Sequence, residues 1–323
     1  MVHRFLASAL GALAAFMAAA PLGAQDAPID YSFTQDYEPS PAMWILSDED
    51  TTIYMLGTFH ALPRGFKWRS ERIEAIIEEA DTLVLESSDY DQQLSMIDMD
   101  RKLQARIAAR TPTSNRLSSA ARLRWERLVG MTELDFATVD EMPVLLALLA
   151  IGVTGDGSQA GGESLGAYGV ETVLEREFRA RDKPILSIED SGEVMYSLFR
   201  QDGPAIVAEL DSKLTEWDGQ SLYAFYDEGF VRETGDDYWR EEHNWAQGIV
   251  ADDFDMGFGD GRIGRAFDTN LLDRRNAAWA EWVQTRLGEP GTVLLAVGAG
   301  HFEGDASLLT MLAQRGLIAR RLD

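Results

Sequence analysis

The chain has 323 residues, 46% of them hydrophobic and 10% aromatic, enough for a sizeable core in one large domain or two small ones and too apolar for disorder as its default. Its formal net charge of −25 argues against nucleic acid and anionic membrane as partners, because both repel it. It contains no cysteine, which excludes disulfides, thiolate metal ligands and a lipidated N-terminal cysteine.

Residues 1–24 read as a signal peptide. His3 and Arg4 form a short basic region, and the uncharged FLASALGALAAFMAAAPLGA follows. Its apolar part, Phe5 to Ala20, falls short of the roughly 20 residues that span a bilayer comfortably. Gly23 and Ala24 suit cleavage before Gln25, whereas Leu22 is unusual three residues before such a bond, so an uncleaved N-terminal anchor stands as the alternative. No other stretch is apolar enough to cross a membrane, so the mature chain is expected to have no integral membrane span. Residues 25–41, with three prolines, read as a linker, and 42–323 as a single domain.

In that domain MWIL, the polar SDED and TIYML predict a β-hairpin that stops at Gly57. SERIEAIIEEA predicts a helix with Ser70 as N-cap and Ile73, Ile76, Ile77 and Ala80 on one face. DTLVLESS predicts a short buried strand, Thr82 to Leu85, that ends at Glu86. Strand, helix and strand at this spacing form a βαβ unit, the building block of parallel sheets. Helical insertions follow at about 91–160 and 191–250. Between them lie a glycine-rich loop (155–169), the helix VETVLEREFRARD and the strand KPILSIED, which ends at Glu189. ADDFDMGFGDGR reads as an acidic loop and residues 268–287 as one amphipathic helix. A buried strand in EPGTVLLAVGAGH, a helix with Asp305 near its N-cap and Gly316 at its end, and the strand LIARRL complete the chain.

Two stretches share one pattern. YMLGTFH and LLAVGAGH both run from an apolar strand through glycine to histidine three positions on, and only His60, His243 and His301 remain once the leader is removed. Gly57 and Gly298 are expected to let the chain leave each strand in conformations that a Cβ penalises. Four strands thus end near a ligand or proton carrier: His60, Glu86, Glu189 and His301. If these strands are parallel neighbours, the side chains converge at the carboxyl edge, where open α/β sheets bind ligands. Imidazoles and carboxylates together suit Zn, Mn, Co or Fe(II), and a spare carboxylate can serve as general base.

Each of these residues also has a plainer use. A strand-end histidine is often a loop residue bonded to a backbone carbonyl, and Glu86 and Glu189 suit helix caps or surface positions. Glu171 stands just inside a helix N-terminus, where it complements the dipole, and beside the glycine-rich loop that would line a cleft. Arg275 and Asn276 lie on the amphipathic helix; an arginine there would pair with a site carboxylate or a substrate carboxylate. His243 has no second histidine at zinc-helix spacing and reads as a surface or packing residue.

The segments YMLGTFHALP, LVLESS, GVETVL, KPILSIED, LLDRRNAAWAEWV and VLLAVGAGHFEGDASLLTMLAQRGL, in this order, resemble the TraB/PrgY/GumN family. That family is related to the Tiki proteins and more distantly to erythromycin esterases and ChaN-like haem-binding proteins. The resemblance implies an α/β fold of the erythromycin esterase/ChaN-like, TraB/Tiki type: a central, mainly parallel or mixed β-sheet with flanking helices and a large helical insertion. It implies a site built from both Gly-x-x-His motifs with a glutamate and, in the Tiki branch, a divalent-metal-dependent peptidase activity. Carried over, His60 and His301 match the paired histidines, Glu86 the acidic residue after the second core strand, and Arg275 the arginine of an Arg-Asn pair. Glu171 and Glu189 match recurring acidic positions.

The expectation is therefore a periplasmic or secreted metal-dependent hydrolase acting on a peptide or small molecule, with Mn²⁺, Co²⁺ or Zn²⁺ as cofactor. His60, His301, Glu86 and Glu189 are the expected metal ligands, and Glu86, Arg275 and Glu171 the catalytic residues. Two alternatives accompany it: a metal-independent, esterase-like hydrolase with a histidine and Glu86 as acid and base, and a non-enzymatic periplasmic binding protein for a peptide, signal molecule or haem.

Overall fold

Thr51–Thr58 (β2) folds back on Met43–Ser47 (β1) because Asp48 turns the chain: its carboxylate accepts from the backbone N–H of Asp50 (3.2 Å) and Thr51 (2.9 Å). The helix Glu71–Glu79 (α1) then carries the chain across to Thr82–Leu85 (β3). Its N-terminus is fixed by the Ser70 hydroxyl, which accepts from Ile73 N–H, and by Glu71 and Glu74 in the first turn. Ile73, Ile76 and Ile77 are buried; such burial is worth about 1.5–3 kcal/mol per side chain. The structure is a computed structural model that describes residues 30–88, 105, 109–155, 159–160, 163–226, 233–254 and 256–322. The expected signal peptide, the start of the expected linker and parts of both expected helical insertions lie outside the described residues.

Among the described residues the main sheet has six strands in the order β6-β3-β7-β2-β1-β8, with β6 at Ile185–Ser187, β7 at Gly291–Gly298 and β8 at Arg320–Leu322. The run β6-β3-β7-β2 is parallel, and β1 is antiparallel to both its neighbours. The sheet is thus mixed, with flanking helices and helical insertions, as the α/β reading expects. Alternation along the strands feeds two cores. Leu56, Leu83, Leu85, Leu294 and Ala296 face α1 and Val170–Ala180 (α5), while Met55, Val84, Val293, Leu295 and Val297 face Arg274–Arg286 (α11) and Leu308–Gln314 (α12). A third core fills the helical insertions. There Ser119–Val129 (α2), Phe136–Glu141 (α3), Val144–Gly155 (α4), Ser191–Phe199 (α6), Pro204–Glu216 (α7), Leu222–Tyr226 (α8) and Arg262–Phe267 (α10) pack around Trp125, Leu148 and Leu210, while Arg240–Ala246 (α9) adds Trp245 and Ala246 to the core under α1.

Several local expectations change. The glycine-rich loop contains a short antiparallel pair, Gln159–Ala160 (β4) with Glu163–Ser164 (β5). The N-cap of the last helix, expected near Asp305, is Ser307, whose hydroxyl accepts from Thr310 N–H. Residues 30–41 have no helix or strand, yet Phe33 and Tyr37 pack on the core. Before α11, Asp268–Asp273 winds as a π-helix instead of continuing the α-helical register. Two side chains bond backbone carbonyls along this turn: Asn270 Nδ2 donates to Ala266 O (2.6 Å), and Arg275 Nη1 to Leu271 O (3.0 Å).

Candidate functional site

The four parallel strands end side by side, with Thr58 opposite Gly298 and Leu85 opposite both Ala296 and Ser187. His60, Glu86, Glu189 and His301 therefore leave the same edge of the sheet. The expected use of the two glycines, a backbone that a Cβ penalises, is not what the strands show. Gly57 and Gly298 are not among the glycines with positive φ. A Cβ on Gly57 would instead meet Ala299 Cα at 3.0 Å, so the missing side chain lets β2 lie against the turn that carries His301.

Arg275 is the hub of the cluster. Its Nη2 donates to Glu86 Oε2 (2.5 Å) and to Glu189 Oε1 (2.7 Å), and its Nε donates to Glu189 Oε2 (2.8 Å). Its Nη1 lies 3.3 Å from His301 Nε2. Trp279, one turn along α11, stacks under the guanidinium at 4.7 Å and donates its indole N–H to Glu189 Oε2 (2.9 Å). Glu86 Oε1 accepts from Gly298 N–H at 2.7 Å. On the far side of His301, Asn276 Oδ1 lies 2.7 Å from Nδ1.

His60 enters from the opposite flank. Its Nδ1 is 2.9 Å from Glu171 Oε1, which also accepts from the Thr58 hydroxyl. Both imidazoles present Nε2 to one oxygen: Glu86 Oε1 lies 4.0 Å from His60 Nε2 and 3.7 Å from His301 Nε2. His60 Nε2 and Glu171 Oε2 are buried without a hydrogen-bond partner.

The surroundings set these groups apart. Burial alone would lower the His60 pKa, but the Glu171 carboxylate, helped by Glu86, outweighs it and raises the value to about 9. His301 is pushed down to about 3 by burial and by the Arg275 charge. Burial would raise Glu86, yet Arg275, then the histidines and Gly298 N–H, hold it at about 2. Glu189 is raised by burial, with Arg275 opposing.

All six expected site residues, His60, Glu86, Glu171, Glu189, Arg275 and His301, thus stand in one cluster. Glu189 is bonded to Arg275 and Trp279. His243 lies elsewhere, packed among Phe33, Phe66 and Tyr37 with its Nδ1 2.6 Å from the Tyr37 hydroxyl. Sequence reasoning gives no role to Thr58 or Gly169, names Asn276 only beside Arg275, and reads Trp279, with the other tryptophans of 217–282, as core packing or a cleft wall. Trp279 is separated from Arg275 by one helical turn, which is a readable signal; the approach of Gly169 to His60 leaves none.

The donor chemistry fits a divalent cation. Two imidazole nitrogens and one carboxylate oxygen converge, and one of those nitrogens is buried and unpartnered. The spacing does not make a ligand set: among the described residues no three His, Asp or Glu side chains stand so that they could hold a metal ion. Among the same residues no helix is long and apolar enough to cross a membrane.

Fold and cluster together define an α/β protein with one buried polar site at the carboxyl edge of its parallel strands. The family model of the TraB/PrgY/gumN family matches residues 42–321, nearly the whole chain, and the chain belongs to that family. No curated protein and no solved structure matches it.

Proposed function

We propose that this protein is an exported, divalent-metal-dependent hydrolase that cleaves an amide or ester bond, with a peptide as the favoured substrate. The observation that carries the reading is His60 Nε2: a buried imidazole nitrogen without a partner, sharing Glu86 Oε1 with His301 Nε2. A polar atom left unsatisfied costs about 1–3 kcal/mol, which a ligand at this point would offset. His60, His301 and Glu86 would hold the ion, which supplies Lewis acidity towards a carbonyl and makes a water more acidic. Glu189 stays outside the ligand set, because Arg275 and Trp279 occupy it. Arg275 neutralises both carboxylates and fixes Glu86. Glu171 orients His60 through Nδ1, and its free Oε2 is the base placed to take a proton from the attacking water. Export to the periplasm or beyond rests on the leader.

A second reading has its own support. The Glu171 pair keeps His60 protonated at neutral pH, and Glu86 is held ionised, so the two form an acid and a base without any ion. Metal analysis of the purified protein, followed by a peptide-cleavage screen with and without chelator, separates the two. Mn²⁺-, Co²⁺- or Zn²⁺-stimulated cleavage lost in His301→Ala supports the first. Turnover indifferent to chelation supports the second and defeats the first.

A further inference from the structure

The two histidines of the cluster are not equivalent, and the residue that distinguishes them is Asn276. It is buried at 1% exposure, and its amide orientation is fixed from outside the cluster. Nδ2 donates to the carbonyl of Ala306 at 2.8 Å, a bond only the NH₂ end can make. Oδ1 is therefore the end that faces His301 Nδ1 at 2.7 Å. A carboxamide oxygen only accepts, so Nδ1 carries the proton. Nε2 is then left with its lone pair, and what faces it agrees: Arg275 Nη1, which can only donate, at 3.3 Å. Donor and acceptor are thus assigned along the chain Ala306 O, Asn276, His301, Arg275 with no choice remaining.

At the same position on His60 stands Glu171, an anion. One imidazole has a neutral acceptor on Nδ1 and the other a charged one. Free of any ion, the charged acceptor on His60 favours a protonated ring, whereas the neutral acceptor on His301 leaves Nε2 bare. We infer that Asn276 is a positioning residue that locks His301 in its Nδ1–H tautomer, so that Nε2 is presented to the cluster as a lone pair. The metal reading of the site uses this arrangement, but the tautomer itself does not depend on that reading.

Long-range ¹H–¹⁵N spectra of the histidine rings test it on the full chain after chelation. The sequence has four histidines, so the spectrum is sparse and His301→Gln assigns its signals. The expected result is a proton-bearing Nδ1 and a lone-pair Nε2 for His301 at neutral pH. In Asn276→Ala, His301 should move towards the Nε2–H form, because Glu86 Oε1 at 3.7 Å is then the nearest acceptor. Asn276→Asp keeps an acceptor on Nδ1, so Nδ1 should stay proton-bearing, while the added charge should make the His301 ring easier to protonate, as Glu171 does for His60. An Nε2–H His301 in the wild type, or an unchanged tautomer in Asn276→Ala, overturns the assignment. If Asn276→Ala does not fold, the wild-type and Asn276→Asp spectra decide alone. On the same samples, Mn²⁺ or Zn²⁺ affinity should fall roughly 10–100-fold in Asn276→Ala. An affinity unchanged in Asn276→Ala overturns the positioning role. Absence of metal binding in the wild type would remove the metal reading and leave the tautomer to be judged on the spectra.

Discussion

Gly169 passes His60 so closely that a Cβ on it would lie 2.0 Å from the His60 carbonyl oxygen. The backbone at Gly169 (φ −57°, ψ 148°) is one that any residue adopts, so the glycine is needed for space and not for conformation. Val170 N–H, next along, donates to Phe59 O at 2.9 Å, and Glu171 then reaches His60. Gly169→Ala should therefore push the start of α5 off the strand-end loop. We expect a loss of about 1–3 kcal/mol in denaturant unfolding and a larger proportional loss of activity. Full stability and activity in this variant would mean that the close approach is not required.

The His60–Glu171 pair makes stability depend on pH. The folded pKa of His60 is raised from 6.5 to about 9, so its contribution is fully present below 6.5 and is lost as the pH rises through 9. In chelated protein, unfolding free energy should fall across that window by on the order of 3 kcal/mol. Glu171→Gln removes the main cause of the shift and should flatten the curve. Denaturant melts at half-unit pH intervals measure this, and parallel curves for the two proteins would refute it.

Much of this arrangement was legible in the chain because its signals are local. Thr82 to Leu85 is bounded by a helix and Glu86, and the strand has those limits; Ser70 caps α1 as its position suggests. The side-by-side placement of strands encoded far apart was available only as a condition, since register between β2 and β7 is set by long-range packing. The π-helical turn was hidden because Asp268–Asp273 carries no local break such as glycine or proline to mark it. The use of Gly57 was misread for a related reason: close approach and positive φ both select glycine, and sequence does not separate them.

Asp202 holds the helical insertions together. It accepts from Arg110 Nε at 2.6 Å and Arg116 Nη1 at 2.9 Å, and its side chain is only 8% exposed. Burial works against its charge, but the two arginines hold its pKa below the usual carboxylate range. Asp202→Ala leaves Arg110 buried without its counter-charge and should cost about 3–5 kcal/mol. The strand-end site is on another part of the fold, so its metal affinity should change little. A variant as stable as the wild type would show that the pair contributes nothing.

Metal binding, if it occurs at His60, His301 and Glu86, must appear as added stability, because the unfolded chain lacks the assembled site. At a free concentration 100 times the dissociation constant the gain is about 2.7 kcal/mol. Thermal melts with Mn²⁺, Co²⁺ or Zn²⁺ against chelator should therefore show a rise in the wild type. The rise should disappear in a His60→Ala/His301→Ala double variant. With a net charge of −25 the surface attracts cations non-specifically, so the variant is the necessary control. An equal rise in both proteins would assign the effect to that diffuse attraction and not to the cluster. A rise confined to the wild type that grows as the pH climbs towards 9, where His60 gives up its proton, is the outcome expected of an imidazole ligand.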